Sequence, residues 1–277
     1  MNKNIKKLLI KTKKSIFSQQ IGNNTSKFKG DGYDFVELRE YEDGEDIRKI
    51  DWVISAKMQK PFVKVFHTQR ELDINIIPIL NGSVFFGTSK LKQEVIAEIS
   101  AIIGYSCVAQ GDNYSSYIVN ENIILNSKKS KRMLGVDTMV ESIYNYDCIN
   151  KKVDYKEIAT QLNINLTKKS ILFLIGDFFD YDDIYFKVLS QKHEVIAIIV
   201  RDKFEEKPSK MGNVNFTDPS NSKVFEGDLN KTLVTNYEKR VKINDLKLYN
   251  SLKKEGIEFI KIYTDENILL KMMKLFR

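Results

Sequence analysis

ILFLIGD, residues 171–177, is the stretch that decides the fold. Five apolar residues stand in a row with no polar alternation, as in a strand covered on both faces, and Gly176 and Asp177 end the run. Working outward, the residues at 194–200 read as a second buried strand, and DINIIPIL at 73–80 as a third, with Pro78 at a bulge or at the strand's far end. Residues 114–119 and 256–262 read as further strands, and 123–125 as a short strand that leads into a polar, lysine-rich loop at 126–132. Helical spacing appears at 90–108 (Leu91, Val95, Ile99, Ile102, Ile103), 134–144, 155–162, 183–191, 245–254 and 266–275. Strands that alternate with helices predict an α/β fold: a mostly parallel sheet with helices on both faces. Residues 212–225 read as a small β-hairpin insertion turning at Asp218, Pro219, Ser220 and Asn221.

Upstream, GDGYDFVELREYEDGEDIRKIDW (30–52) alternates acid and base along an apolar side, and Phe62, Val63, Val65 and Phe66 follow as a strand. Arg39, Glu40, Asp43, Glu45, Asp46, Arg48, Asp51 and Trp52 are its candidates for contact with a partner. Alternating sign also favours local pairing, so internal ion pairs are expected for Arg39, Arg48 and Asp51, and a core position for Trp52, the only tryptophan. Three parts result: a basic tail (1–29), the charged extension (30–70) and the α/β body (71–277).

The 277 residues carry 44 basic and 37 acidic side chains, a net charge of +7. Eight lysines and no acid lie in residues 1–30, which leaves 36 basic against 37 acidic residues elsewhere. The body is therefore neutral, unlike a nucleic-acid-binding face. The tail is expected as a helix with Ile5, Leu8, Leu9 and Ile16 or Phe17 on one side, docked on the body; peripheral contact with membrane lipid or nucleic acid is its other reading. No segment has the length of apolar sequence that a membrane span needs, and Cys107 and Cys148 set no disulfide framework, so a cytoplasmic protein is expected. Cys107, His67 and His193 read as structural.

In an open parallel sheet, ligands sit outside the carboxyl ends of the strands. Asn81, Gly82 and Ser83 follow one such end and Asp177 another. The carboxylates Asp180, Asp182, Asp183, Glu205 and Glu206 have no His, Cys or Lys at a spacing tied to chemistry, and no phosphate-binding, nucleophile-elbow or zinc-protease motif occurs. No catalytic residue is assigned, and the chain is read as no enzyme.

The segment 30–52 with KPFVKVF and QREL, and LIGDFFDYDD with EVIAIIVRDKFEEKP downstream, resembles the bacterial "domain of unknown function 58" family, which contains a von Willebrand factor A-like domain. That resemblance implies a metal-ion-dependent adhesion site, with D-x-S-x-S after the first central strand and a threonine and an aspartate from later loops. Here the motif falls on Ile79, Leu80, Asn81, Gly82 and Ser83, so only the last serine survives. Asp177 matches the late aspartate, and Thr138 is the candidate threonine. A degenerate site that holds Mg²⁺ weakly or not at all, at Ser83 and Asp177, follows. The resemblance also implies a MoxR-type AAA+ ATPase as partner, and with it a non-catalytic adaptor or scaffold; the alternative is a binder of anionic surfaces through the lysine-rich tail.

Overall fold

A computed structural model describes residues 3–23, 35–66, 71–179, 186–209 and 212–275. His67, Asp180, Asp182 and Asp183 lie outside the described residues. The chain divides into two compact units, residues 1–20 with 72–277, and residues 21–71.

In chain order the elements begin with α1 (Lys3–Asn23), β1 (Phe35–Glu40), α2 (Trp52–Met58), β2 (Phe62–Phe66), β3 (Asp73–Pro78), α3 (Lys92–Gln110), β4 (Asn113–Val119) and β5 (Ile123–Ser130). Next come α4 (Met133–Tyr144), α5 (Tyr155–Asn165), β6 (Ile171–Gly176), α6 (Lys187–Ser190), β7 (Glu194–Arg201) and α7 (Lys203–Glu206). The chain closes with β8 (Gly212–Thr217), β9 (Val224–Leu229), α8 (Lys231–Lys254), β10 (Glu258–Tyr263) and α9 (Ile268–Leu275).

The larger unit is built on a six-stranded sheet of order β10-β7-β6-β3-β4-β5, parallel except for β5. Both faces are covered, which is why its central strands are mostly apolar. Residues of one parity (Ile74, Ile76, Phe173, Ile175, Ile196, Ile198) pack with buried side chains of α3, α4 and α9. Those of the other parity (Ile77, Leu172, Leu174, Val195, Ala197, Ile199) pack with α5, α6 and α8. Pro78 ends β3, and pairing passes to Ile79, whose amide donates to Ile175 O at 2.7 Å.

α1 docks on the first of these faces. Ile5, Leu9 and Ile16 are buried in that core, with Leu8 packed against it. The lysines at 6, 7, 11, 13 and 14 lie on the exposed side. The docked reading of the tail is thus the arrangement found.

Two elements differ from the sequence reading. Residues 126–130 continue β5 rather than forming a loop: this strand is an edge, where lysines are tolerated because one side faces water. Helix α8 starts at Lys231, not at 245, because its first half is polar and buries only Val234 and Val241.

The smaller unit pairs β1 with β2 antiparallel around α2. Arg39 pairs with Glu45 as expected. Asp51 also caps α2 by accepting from the amides of Val53 and Ile54 at 3.0 Å, and Asp46 accepts from the Arg48 amide at 3.0 Å. These are backbone caps, which the Asp-before-helix position favours. Trp52 is 66% exposed, so the core position expected for it is not found. It opens a short helix with no buried residue, on which Val53 and Met58 are also exposed.

Candidate functional site

The sheet order changes direction between β3 and β6, since β4 flanks β3 on one side and β6 on the other. A crevice forms at such a switch point, outside the carboxyl ends of the two strands. Ser83 arrives there from the turn after β3, and Asp177 follows β6. The two side chains meet there: Ser83 Oγ donates to Asp177 Oδ2 at 2.5 Å. Asn81 is buried beside them in sequence, and its Oδ1 has no hydrogen-bond partner among the described residues. Thr138 is not part of the site; it lies on α4, exposed, with its hydroxyl turned back on the carbonyls of Leu134 and Gly135.

The centre of the crevice is Lys92, the first residue of α3. Its side chain is 0% exposed, and Nζ donates to Asp177 Oδ2 at 2.8 Å and to Glu205 Oε1 and Oε2 at 2.7 and 2.8 Å. Glu205, read from sequence as a carboxylate without a partner, is brought to Lys92 by α7 after β7. Its neighbour Glu206 likewise meets Lys261 and the Tyr263 hydroxyl. Burial works against charge at Lys92, but the two carboxylates outweigh it and push the ammonium above its ordinary range. Burial also opposes ionisation of Asp177, yet Lys92 and the Ser83 hydroxyl hold its carboxyl below the usual range. Glu205 moves the other way, raised by burial against the pull of Lys92. The pair is a charged Lys92–Asp177 bridge with Glu205 as the second acceptor.

Nothing in the spacing of the sequence marks Lys92 as a site residue; its place in the first turn of α3 does. A cation in the first turn of a helix opposes the helix dipole, so a buried one there calls for carboxylates nearby. Asp202 was missed too, although it follows β7 as Asp177 follows β6. It is buried and accepts from the Thr88 amide (2.8 Å), the Phe204 amide (2.9 Å) and the Thr264 hydroxyl (2.6 Å). Burial would raise its carboxyl, but these donors hold it below the usual range. Asp202 thereby ties the loop before α3 to the ends of β7 and β10. Arg201 bonds Asp245 Oδ1 at 3.1 Å and lies 4.4 Å from the centre of the Phe179 ring.

The turn of the β8–β9 hairpin closes over the Asn81–Ser83 loop. The Asn150 amide donates to Pro219 O at 2.8 Å, and Ser222 Oγ to Asn150 Oδ1 at 2.8 Å. Gly82 is required here: a Cβ would stand 2.4 Å from the Ser220 backbone. Next to the Lys92 cluster, a mainly apolar cavity of about 650 Å³ is lined by Phe86, Phe179, Phe204, Phe216, Leu233 and Tyr237. Ser83 and Glu205 reach its wall from the polar cluster, and Arg240 from α8.

These residues do not fit a divalent cation as they stand. Asp177 and Glu205 are the carboxylates that a hard cation would use, and the Lys92 ammonium already holds both. The adhesion-motif aspartate is replaced by Ile79, which is buried in the apolar core. Among the described residues no group of three or more His, Cys, Asp or Glu side chains could hold a metal ion.

The family model described as "Protein of unknown function DUF58" matches residues 37–246. Uncharacterized proteins of Mycobacterium bovis (Mb1516) and Mycobacterium tuberculosis (Rv1480) are each 20% identical over 258 residues, covering 91% of this chain and 81% of the relative. Among solved structures, the conserved hypothetical protein BatB from Bacteroides thetaiotaomicron superposes with a TM-score of 0.43 at 9% identity, over 73% of this chain and 95% of that one. An aerotolerance-related membrane protein from Bacteroides fragilis also gives 0.43, at 8% identity, over 73% of this chain and 99% of the other. In this chain, no helix among the described residues is long and apolar enough to cross a membrane.

Proposed function

As the chain belongs to the DUF58 family of proteins of unknown function, we propose that it is a non-catalytic adaptor that binds a protein partner at the carboxyl edge of its sheet. The observation that carries this reading is the closed polar cluster beside an open apolar cavity. Lys92, Asp177, Glu205 and Ser83 spend their hydrogen bonds on one another. The Asp177 carboxylate that accepts from the Ser83 hydroxyl is also held by the Lys92 ammonium, below its usual range, which makes it a weak base for acid–base or covalent catalysis. An apolar cavity with few polar groups is instead suited to receiving a side chain or a short segment of another molecule.

The partner we propose is an AAA+ ATPase of the MoxR type, reached from a cytoplasmic location. Its contacts include the cavity and, in the signature segment, the half-buried Arg39 and the exposed Glu40, Asp43, Asp46, Arg48 and Trp52. The adhesion site is degenerate and works without Mg²⁺. Affinity capture of the tagged chain from its own cell, with the bound proteins identified by mass spectrometry, tests this. An AAA+ ATPase should be recovered; its absence refutes the partnership. Turnover of a nucleotide or phosphoester by the purified chain, lost in Asp177→Ala, refutes the non-catalytic reading.

One observation favours the second reading, a binder of anionic surfaces. The lysines of α1 face outward while its apolar side is buried in the core. Such binding is electrostatic, and so falls steeply with salt and disappears without residues 1–29.

A further inference from the structure

We propose that a polar cavity at the amino end of the sheet, opposite the Lys92 cluster, is a binding site for a small, neutral, polyhydroxylated molecule of monosaccharide size. Four side chains form one line across that end. Ser115 Oγ donates to Asn75 Oδ1 at 2.6 Å, Asn75 Nδ2 donates to Ser170 Oγ at 2.9 Å, and Ser170 Oγ lies 2.9 Å from His193 Nδ1. The line follows the strand order β4-β3-β6-β7, and Asn75, Ser170 and His193 are buried. Since Asn75 donates to Ser170, the Ser170 proton is left for Nδ1 of the neutral His193 ring. Every bond then points the same way, and the chain has an open acceptor end in the lone pairs of Ser115 Oγ. The backbone ladder already joins these strands, with Asn75 opposite Ser115 in register. An apolar set of the same shape would hold them as well. Asn75, the polar residue inside an otherwise apolar strand, therefore points to a use beyond packing.

The open end lies in a cavity of about 280 Å³, bounded by Asn75, Ser115, Tyr117, Asn165, Thr167 and Ser170. At about 30 Å³ per water molecule, that is the volume of roughly nine waters, or room for one monosaccharide. The wall matches hydroxyl chemistry. Ser115 Oγ calls for a donor and the second N–H of the Asn75 amide for an acceptor, and a single ligand hydroxyl is both. The hydroxyls of Tyr117 and Thr167 and the side-chain amide of Asn165 make no hydrogen bond among the described residues, so further hydroxyls find partners of either kind. The half-buried Tyr117 ring offers an apolar face to the C–H side of such a molecule. An anion fits less well. Lys129 is taken by Asp73 at 2.5 Å, and a fully ionised anion brings only acceptors, which leave the Ser115 lone pairs unmet. This site stands apart from the cavity beside Lys92 and does not depend on the adaptor reading.

The test is calorimetric titration of the whole chain with D-glucose, D-galactose, D-ribose and myo-inositol, with sulfate as the anion, alongside NMR spectra of the histidine rings. The chain has two histidines, so the His193 signals are assigned by their loss in His193→Gln. At least one of the four polyols should bind saturably, one molecule per chain, and move the His193 signals through the hydrogen-bonded line; sulfate should do neither. Ser115→Ala, which removes the open acceptor, should weaken that binding about tenfold. Thr167→Val, at an exposed position where folding is not at stake, should weaken it too. Four results overturn the proposal: saturable binding of none of the four polyols, binding of sulfate in their place, polyol binding that leaves the His193 signals unmoved, or polyol binding that both variants leave unchanged.

Discussion

Lys92 is the cation that makes two buried carboxylates, Asp177 and Glu205, tolerable. Breaking a buried ion pair by removing one partner costs about 3–5 kcal/mol, since the charge left behind loses its compensation. Lys92→Met should therefore lower the unfolding free energy by about that amount in a urea titration. His193 gives a second residue-scale expectation, with a sign that follows from its surroundings. It is buried at the start of β7, with Nδ1 2.9 Å from Ser170 Oγ in a chain of hydrogen bonds that continues through Asn75 to Ser115. Burial, with nearby Lys192, pushes its ring below the ordinary histidine range, so the folded chain holds a neutral ring. The unfolded chain then takes up the proton first. The His193 contribution to stability is complete above about pH 6.5 and is lost as the pH falls through the lower, folded value. Denaturation midpoints measured from about pH 7 down to about pH 5 should decline in the wild type, and less so in His193→Gln.

At the scale of elements, legibility followed the burial of each segment. Strands β3, β6 and β7 were readable because burial on both faces leaves them mostly apolar, with Asn75 the one polar residue inside β3. The second half of β5 and the first half of α8 were not, because each exposes most of its side chains and so has the composition of a loop. The site was half legible for a related reason. Ser83 and Asp177 each follow a central strand, which sequence can locate. Lys92 and Glu205 are 113 residues apart, and only the order of strands in the sheet brings them together. The N-terminal helix was read from its pattern, and its docking makes a prediction at this scale. Ile5 is fully buried in the core cluster that includes α3, α4 and α9. Ile5→Ala should cost about 2–5 kcal/mol in equilibrium unfolding, a core-like penalty. A change within about 0.5 kcal/mol, typical of surface positions, would mean that the helix is not docked.

For the molecule as a whole, two features frame a binding role. The larger unit brings a self-satisfied ionic cluster to the edge of an apolar cavity, and the smaller unit exposes an apolar helix that carries the chain's only tryptophan. Exposed aromatic side chains of this kind are enriched among the residues that dominate protein interfaces. The most direct measurement is a calorimetric titration of the purified chain with the purified AAA+ ATPase, run side by side for the wild type and for Leu233→Asp in the cavity wall. The account predicts saturable binding by the wild type, and its loss in a Leu233→Asp chain that melts as a folded protein. Absence of binding by the wild type, or equal binding by the two chains, would contradict it.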